Sequence, residues 1–409
     1  MRILFLTHRI PYPPNKGDKI RSYNILQYLT KRHEVYLGCL IDETTDIQYI
    51  KPLQNQVKEF VFETIHPKLK KICCLHGVFQ KKSISVCYFY SSSLQKKIDN
   101  LFECIDFDVL FCFSSPMAEY YFRSNHKNRG AKPLIRIMDL IDVDSYKWTQ
   151  YAEKSSGLKR LIYRYEARYL FQYEHRIAET FDHLLVVSEQ EKNIFLLGWA
   201  VTNLAVVTNG VDLDFFNPHH PQRQQAQKPT LIFTGVMDYW PNIEGVQWFA
   251  DRIFPRIRAA VPDTTFYIVG SRPTTEIRRL ERIAGIVVTG FVEDVRDYLA
   301  AADVCVVPLR IARGIQNKIL EAMAMGKPVV TTSQAFEGIK AVSGEEIIPA
   351  DGEDMFAAAV IDLLQNRQKS ESMGAKARQC VEKHYSWYIN LSVLDDIFKT
   401  PKVNPDEIQ

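Results

Sequence analysis

The chain has 409 residues, 46% hydrophobic and 24% charged, with a net charge of +3. That length exceeds one ordinary core and implies two domains, and the composition is that of a soluble globular class. No apolar run reaches the roughly 18 residues of a spanning helix, and the small net charge excludes a nucleic-acid footprint.

The N-terminus MRILFLTHRIPYPP is too short and too polar for a signal peptide and reads as a first strand. From there short β-rich runs alternate with helical windows. Strands are expected at 2–7, 34–40, 108–113, 133–141 and 183–188, then, as a second set, at 204–210, 230–235, 264–270, 285–290, 303–309 and 327–333. Helices are expected at 18–31, 243–260, 293–302, 353–365 and 370–383. This rhythm predicts βαβ units and parallel sheets. The turn Asn209-Gly210, a proline stop and the polar stretch HHPQRQQAQKP mark a boundary. The expected domains are 1–205 and 206–385, with a last helix at 386–399 crossing back onto the first. Past Thr400 the apolar pattern ends and disorder is expected.

Eight cysteines, at 39, 73, 74, 87, 104, 112, 305 and 380, show no CxxC spacing and read as reduced core residues of a cytosolic protein. Ten histidines include no HExxH, so a zinc protease is excluded. Residues 1–200 hold 29 Lys+Arg against 22 Asp+Glu, and 201–409 hold 22 against 26. The basic first half suggests an anionic partner there.

Ligands of doubly wound sheets bind outside the carboxyl ends of the strands. No GxGxxG follows the first strand and no P-loop occurs, so dehydrogenase and P-loop readings lose their main supports. Three strand-to-helix junctions stand out. In THRIPYPPNKGDKIRS (7–22), Gly17 precedes a helix, with Lys16, Lys19 and Arg21 adding charge. In VPLRIARGIQNKILEA (307–322), Gly314 precedes a helix start able to receive a phosphate, Lys318 lies one turn in, and Glu321 follows on nearly the same face. Lys318 and the backbone suit a diphosphate, and Glu321 suits a ribose diol; a plain surface Lys–Glu pair is the alternative. The third, TGFVEDVRDYLAAADV (289–304), offers Gly290 and backbone at Val292 as the edge of a nucleobase site.

Together, VVSEQE (186–191), TNGVDLDFF (208–216), TGVMDYWPN (234–242), TGFVEDVRDYL (289–299), GIQNKILEAMAMGKPVV (314–330) and the loop glycine Gly17 resemble a retaining GT-B glycosyltransferase of the large fourth family of nucleotide-sugar transferases. HRIPYPPNKGDKIRS and MDLIDVDSYKW (138–148) are similar to a narrower bacterial group associated with exopolysaccharide and exosortase (PEP-CTERM) sorting systems. The resemblance implies an α/β, GT-B fold: two Rossmann-like doubly wound domains facing across a cleft, the first binding the acceptor and the second the nucleotide-sugar donor. It implies retention, no metal and no cofactor, with cationic side chains and a helix dipole stabilising the leaving diphosphate. Donor-binding positions are Gly17, Gly235, Arg272, Gly290, Val292, Gly314, Ile315, Gln316, Lys318 and Glu321, and catalytic ones Asp142, Lys318 and Arg313. Two departures stand out. Arg313 occupies the place of the first of the family's paired glutamates, and Val236, Met237 and Asn242 stand where an arginine and a lysine are usual. Lys318, with Arg313 or Arg272, is expected to supply the missing charge.

Asp139, Asp142 and Asp144 follow a middle strand; Asp142 is the chosen acceptor-side residue, and helix capping is the structural alternative. Asp142-Val143-Asp144 also spells the Asp-x-Asp metal signature of the other major transferase fold, as does Asp212-Leu213-Asp214. HPKLKKICCLHGVFQKK (66–82) interleaves five lysines with Leu69, Ile72, Leu75, Val78 and Phe79, and 157–176 sets Arg160, Arg164 and Arg168 in one row. Both suit an anionic membrane surface beside a lipid-linked or oligosaccharide acceptor, placing the chain in the cytoplasm or at the inner face of the cytoplasmic membrane. A nucleotide-sugar epimerase and a non-catalytic sugar-nucleotide binder are the competing classes.

Overall fold

The computed structural model describes residues 1–14, 16–67, 70, 74, 81–124, 133–220, 228–312 and 314–399. The chain divides into two compact units: Met1–Thr208 together with the chain from Leu391 onward, and Asn209–Asn390. Each is built on one all-parallel sheet.

The first unit has seven strands: β1 (Arg2–Thr7), β2 (Glu34–Ile41), β3 (Glu59–Thr64), β4 (Val109–Phe113), β5 (Ile135–Ile141), β6 (His183–Val186) and β7 (Leu204–Val206). Their order is β3-β2-β1-β4-β5-β6-β7. Ile3 to Leu6 and Val109 to Cys112 have no exposed surface, because helices cover both faces of a parallel sheet and force continuous apolar runs. β7, read in the sequence with the second set of strands, pairs with β6 and closes the first sheet. β3 escapes sequence reading because Glu59, Glu63 and Thr64 flank only three half-buried apolar residues. At the far end of the chain, helices at Trp387–Leu391 and Val393–Ile397 bury Leu391, Leu394 and Ile397, and Phe398 packs edge-on against His33 at 5.4 Å.

A buried ion pair sits under this sheet's carboxyl edge. Arg21 Nε donates to Asp139 Oδ2 at 2.8 Å, and Arg21 Nη1 donates to the Val207 carbonyl at 2.7 Å. Both side chains are almost fully buried. Burial pushes the Asp139 carboxyl upward, against the pull of Arg21. The Asp139 Oδ1 accepts the Ile141 N–H at 3.1 Å and so holds the end of β5. Ile141 has φ +69 beside a register shift, a strained conformation for a β-branched residue.

The second unit has six strands: β8 (Thr230–Thr234), β9 (Thr265–Val269), β10 (Ile286–Gly290), β11 (Val304–Val307), β12 (Val329–Thr331) and β13 (Ile348–Pro349), in the order β10-β9-β8-β11-β12-β13. The expected helix at 243–260 is one helical run from Trp240 to Ala260, with a π turn at Phe249–Ile253 just ahead of Pro255, which lacks an N–H. Both sheets reverse their strand order beside the first strand of the unit: between β1 and β4, and between β8 and β11. Crevices at such points receive ligands.

Three glycines stand at the carboxyl ends of β8, β9 and β10. The Gly235 N–H donates to the Val269 carbonyl at 3.0 Å, and the Gly270 N–H donates to the Gly290 carbonyl at 3.2 Å. Gly270 has φ +151, and a Cβ there would lie 1.7 Å from the Gly235 carbonyl oxygen. Only glycine fits.

Three substitutions test this account of the fold. Arg21→Met leaves Asp139 buried without its partner, and urea titration should show the first unit destabilised by about 3–5 kcal/mol; an unchanged midpoint would refute the pair's importance. Gly270→Ala should cost at least the ~1–3 kcal/mol of an overpacked core. Gly17→Ala, where a Cβ meets nothing within 4 Å, should stay within about 0.5 kcal/mol by calorimetry.

Candidate functional site

The β8/β11 switch point brings together residues far apart in sequence. Gly235 ends β8, and the helix starting at Trp240 brings Asn242 back beneath it. The helix Asn317–Ala324, reached from β11, supplies Lys318. Lys318 Nζ donates to Asn242 Oδ1 at 2.7 Å, and Asn242 Nδ2 donates to the Val236 carbonyl at 2.8 Å. The amine also lies 4.2 Å from the Phe233 ring centroid. A Cβ at Gly235 would sit 2.8 Å from Asn242 Nδ2 and 3.1 Å from Lys318 Nζ, so glycine is what lets the three meet.

Lys318 and Glu321 form no ion pair within 4 Å, and Glu321 has no hydrogen-bond donor among the described residues. The plain surface-pair alternative therefore does not describe them. Burial lowers Lys318 to about 7, with Glu321 pulling the other way. Burial likewise raises Glu321 to about 7, opposed by Lys318. Each group is held near the point where it changes charge, a common property of functional sites. Asn242, as a neutral acceptor, fixes the amine in place without neutralising it.

The helix start beside them is open. Gln316, its N-cap residue, provides no side-chain cap and instead donates from Nε2 to the Gly314 carbonyl at 3.1 Å. Gly314 has φ +64 and free space around it. Ile315 is buried and packs into the unit's core. Arg313 lies outside the described residues.

Other expected positions have different surroundings. Arg272 carries φ +57 and faces Asp238 at 3.5 Å. Gly290 has φ +74, with Arg278 Nη2 3.2 Å from where its Cβ would be. Val292 is half-buried against the core, whereas Phe291 is 77% exposed. Sequence reading did not single out Arg278, named Phe291 only for its backbone beside Val292, and took Asn242 only as a lost charge.

In the first unit, the basic residues around Gly17 do not form the expected anion cradle. Lys16 pairs with Glu43 at 2.5 Å, Lys19 with Asp46 at 2.6 Å, and Arg21 with Asp139. Their charge is already met by carboxylates distant in sequence. Asp142 follows the strained Ile141, is half-buried, and has no hydrogen-bond donor to its carboxylate among the described residues. Capping does not explain it: the helix Asp144–Glu153 has Val143 at its N-cap, and Glu191 and Glu174 accept the Val143 and Ser145 N–H groups. Burial pushes the Asp144 carboxyl upward, and Ser115 donates to it at 3.4 Å. Asp212 accepts the N–H groups of Asp214 and Phe215, so this second Asp-x-Asp closes a turn. Among the described residues, three metal-capable side chains meet at His220, Asp294 and Asp297. There Arg296 already grips Asp294 in a bidentate pair. Leu69, Ile72, Leu75, Val78 and Phe79 lie outside the described residues. No helix among the described residues is long and apolar enough to cross a membrane.

Residues 228–366 match the family model "Glycosyl transferases group 1". A Klebsiella pneumoniae protein named as an uncharacterized 44.6 kDa protein in a cps region is 22% identical over 412 residues, covering 97% of this chain and 99% of that one. A GDP-mannose-dependent monoacylated alpha-(1-6)-phosphatidylinositol monomannoside mannosyltransferase of Corynebacterium glutamicum is 30% identical over 213 residues; the match spans 47% of this chain and 55% of the relative's length. Among solved structures, Anabaena HepE in complex with UDP and glucose superposes with a TM-score of 0.67 at 15% identity, covering 98% of this chain and 100% of that one. A group 1 domain carried on this pair of doubly wound parallel sheets makes the chain a glycosyltransferase of the GT-B fold.

Proposed function

We propose that the chain moves a sugar from a nucleoside-diphosphate sugar to a lipid-linked saccharide in exopolysaccharide biosynthesis, with retention and without a metal. The observation that carries this reading is the Lys318 amine, fixed by Asn242 at the β8/β11 switch point beside an uncapped helix start. That arrangement suits a diphosphate, which accepts from the ammonium and the helix N–H groups. Glu321, one turn on and without a donor of its own, suits the two ribose hydroxyls. The positive charge a departing diphosphate needs then comes from side chain and backbone.

In the reaction, the bond from the sugar's anomeric carbon to the phosphate oxygen breaks as the acceptor oxygen bonds to that carbon from the same face. The acceptor's proton passes to the leaving phosphate. Asp142 contacts the acceptor side. The Klebsiella relative's cps-region name and the Corynebacterium relative's acylated phosphatidylinositol mannoside support a polysaccharide setting and a lipid-borne acceptor. HepE's UDP and the mannosyltransferase's GDP-mannose define the donors to try first.

Incubating the chain with UDP-glucose or GDP-mannose and a prenyl-diphosphate saccharide should give a product one sugar heavier by mass, also in EDTA. Interconversion of free donors without an acceptor product would identify an epimerase. A charge-assisted hydrogen bond contributes about 1.5–3 kcal/mol, so Lys318→Ala should lower kcat/KM by on the order of ten- to a hundredfold.

The pH dependence separates the two groups. A bound diphosphate favours the protonated amine, so binding takes up a proton above about 7, the value of Lys318. Ribose hydroxyls favour the ionised carboxylate, so binding releases a proton below about 7, the value of Glu321. In the native protein the two effects cancel only at about pH 7, so calorimetric affinity for UDP or GDP should peak near pH 7 and fall on either side. Glu321→Gln should make affinity fall as pH rises, and Lys318→Met should make it rise. Parallel slopes in the two variants would refute the assignment.

A further inference from the structure

The first unit contains a cavity that starts beside the Asp142 junction, where Val143 and Ser145 line it, and extends away from that junction between helices. It lies between the helices Asp144–Glu153, Gly157–Thr180 and Glu189–Gly198 and measures about 600 Å³. That is within the roughly 300–1,000 Å³ typical of small-molecule sites.

Its walls are apolar: Ala167, Phe171, Ile194, Leu197 and Trp199 line it. Leu197 is 88% exposed, although it is an aliphatic side chain in an ordered helix. Trp199 is buried, packed at a tilt between Phe171 and Phe195 at centroid distances of 4.6 and 4.4 Å. Its indole N–H has no hydrogen-bond partner among the described residues. Arg164 and Arg168, one turn apart, also line the cavity. Neither has an acidic partner among the described residues, although Glu153 stands on the same rim. The row continues outward: Leu158, Leu161, Arg164 and Arg168 follow helical spacing along one face, with Leu158 72% and Leu161 62% exposed.

We propose that this cavity binds a lipid phosphate, its hydrocarbon chain against Phe171, Leu197 and Trp199 and its phosphate at Arg164 and Arg168. Apolar walls with an unpaired bidentate cation at the mouth match an anionic amphiphile, because each end of the ligand meets its own chemistry. A free sugar would leave the walls unused, and inorganic phosphate would leave the cavity empty. The occupant is taken to be the anchor of the acceptor, and this rests on the reading of the acceptor as lipid-linked.

The test uses the full chain and a diazirine-tagged farnesyl phosphate, with cross-links mapped by peptide mass analysis. The label should fall on residues 164–172 and 194–199. Untagged farnesyl phosphate should compete at least about tenfold better than farnesol, and inorganic phosphate should not compete. Arg164→Gln with Arg168→Gln, both at exposed positions, should weaken competition by about tenfold. Ala167→Phe should abolish the label at Leu197 and Trp199 while UDP or GDP binding stays unchanged. Label elsewhere, equal competition by farnesol, or equal displacement by phosphatidylglycerol vesicles would overturn the proposal. Transfer to a prenyl-diphosphate saccharide is assayed on the same preparation. Transfer with label outside the cavity would sink the cavity alone. Label in the cavity without transfer would sink the lipid-linked acceptor and leave the cavity standing.

Discussion

The second unit is organised around one amine held by a neutral amide. A lysine in a partly desolvated crevice ordinarily acquires a carboxylate, and its charge is then spent within the protein. Here Asn242 accepts from Lys318 and is itself tied to the Val236 carbonyl. The amine is positioned, its charge stays unmatched at the end of the sheet, and desolvation keeps it close to releasing its proton. The glycine at 235 and the open helix start both serve this geometry: the first makes room for the amine, and the second adds N–H groups beside it.

The first unit treats charge in the opposite way. Its own switch point is bordered by Lys16, Lys19 and Arg21, and each is paired with an acid. Arg21 fastens the first helix to β5, Lys16 and Lys19 tie its start to the segment after β2, and little charge is left to attract an anion. What remains unspent there is strain and one carboxylate: Ile141 in a left-handed conformation, followed by Asp142. Strained backbone of this kind tends to mark functional positions.

Much of this was legible in the residues. Continuous apolar runs such as Arg2–Thr7 and Val304–Val307 announce parallel strands because both faces of the sheet are covered. The Lys318–Glu321 spacing announces a shared helix face. What escaped has a common cause: partners distant along the chain. Asn242 lies 76 positions from the lysine it anchors, so its sequence shows only a missing charge. Asp46 and Asp139, which neutralise Lys19 and Arg21, are 27 and 118 positions away. β3 escaped for a local reason, since a half-buried edge strand carries too few apolar residues to show a period, whereas β7 was expected as a strand but assigned to the wrong sheet.

The crowded carboxyl ends of β8, β9 and β10 have a bearing on how such a protein diversifies. Gly270 admits no side chain, and one at Gly235 would displace Asn242 and Lys318, so a mutant library has little freedom at the floor of that crevice. Under the proposed reading, changes in sugar or nucleotide preference would fall instead on exposed positions after those strands, such as Trp240 and Phe291.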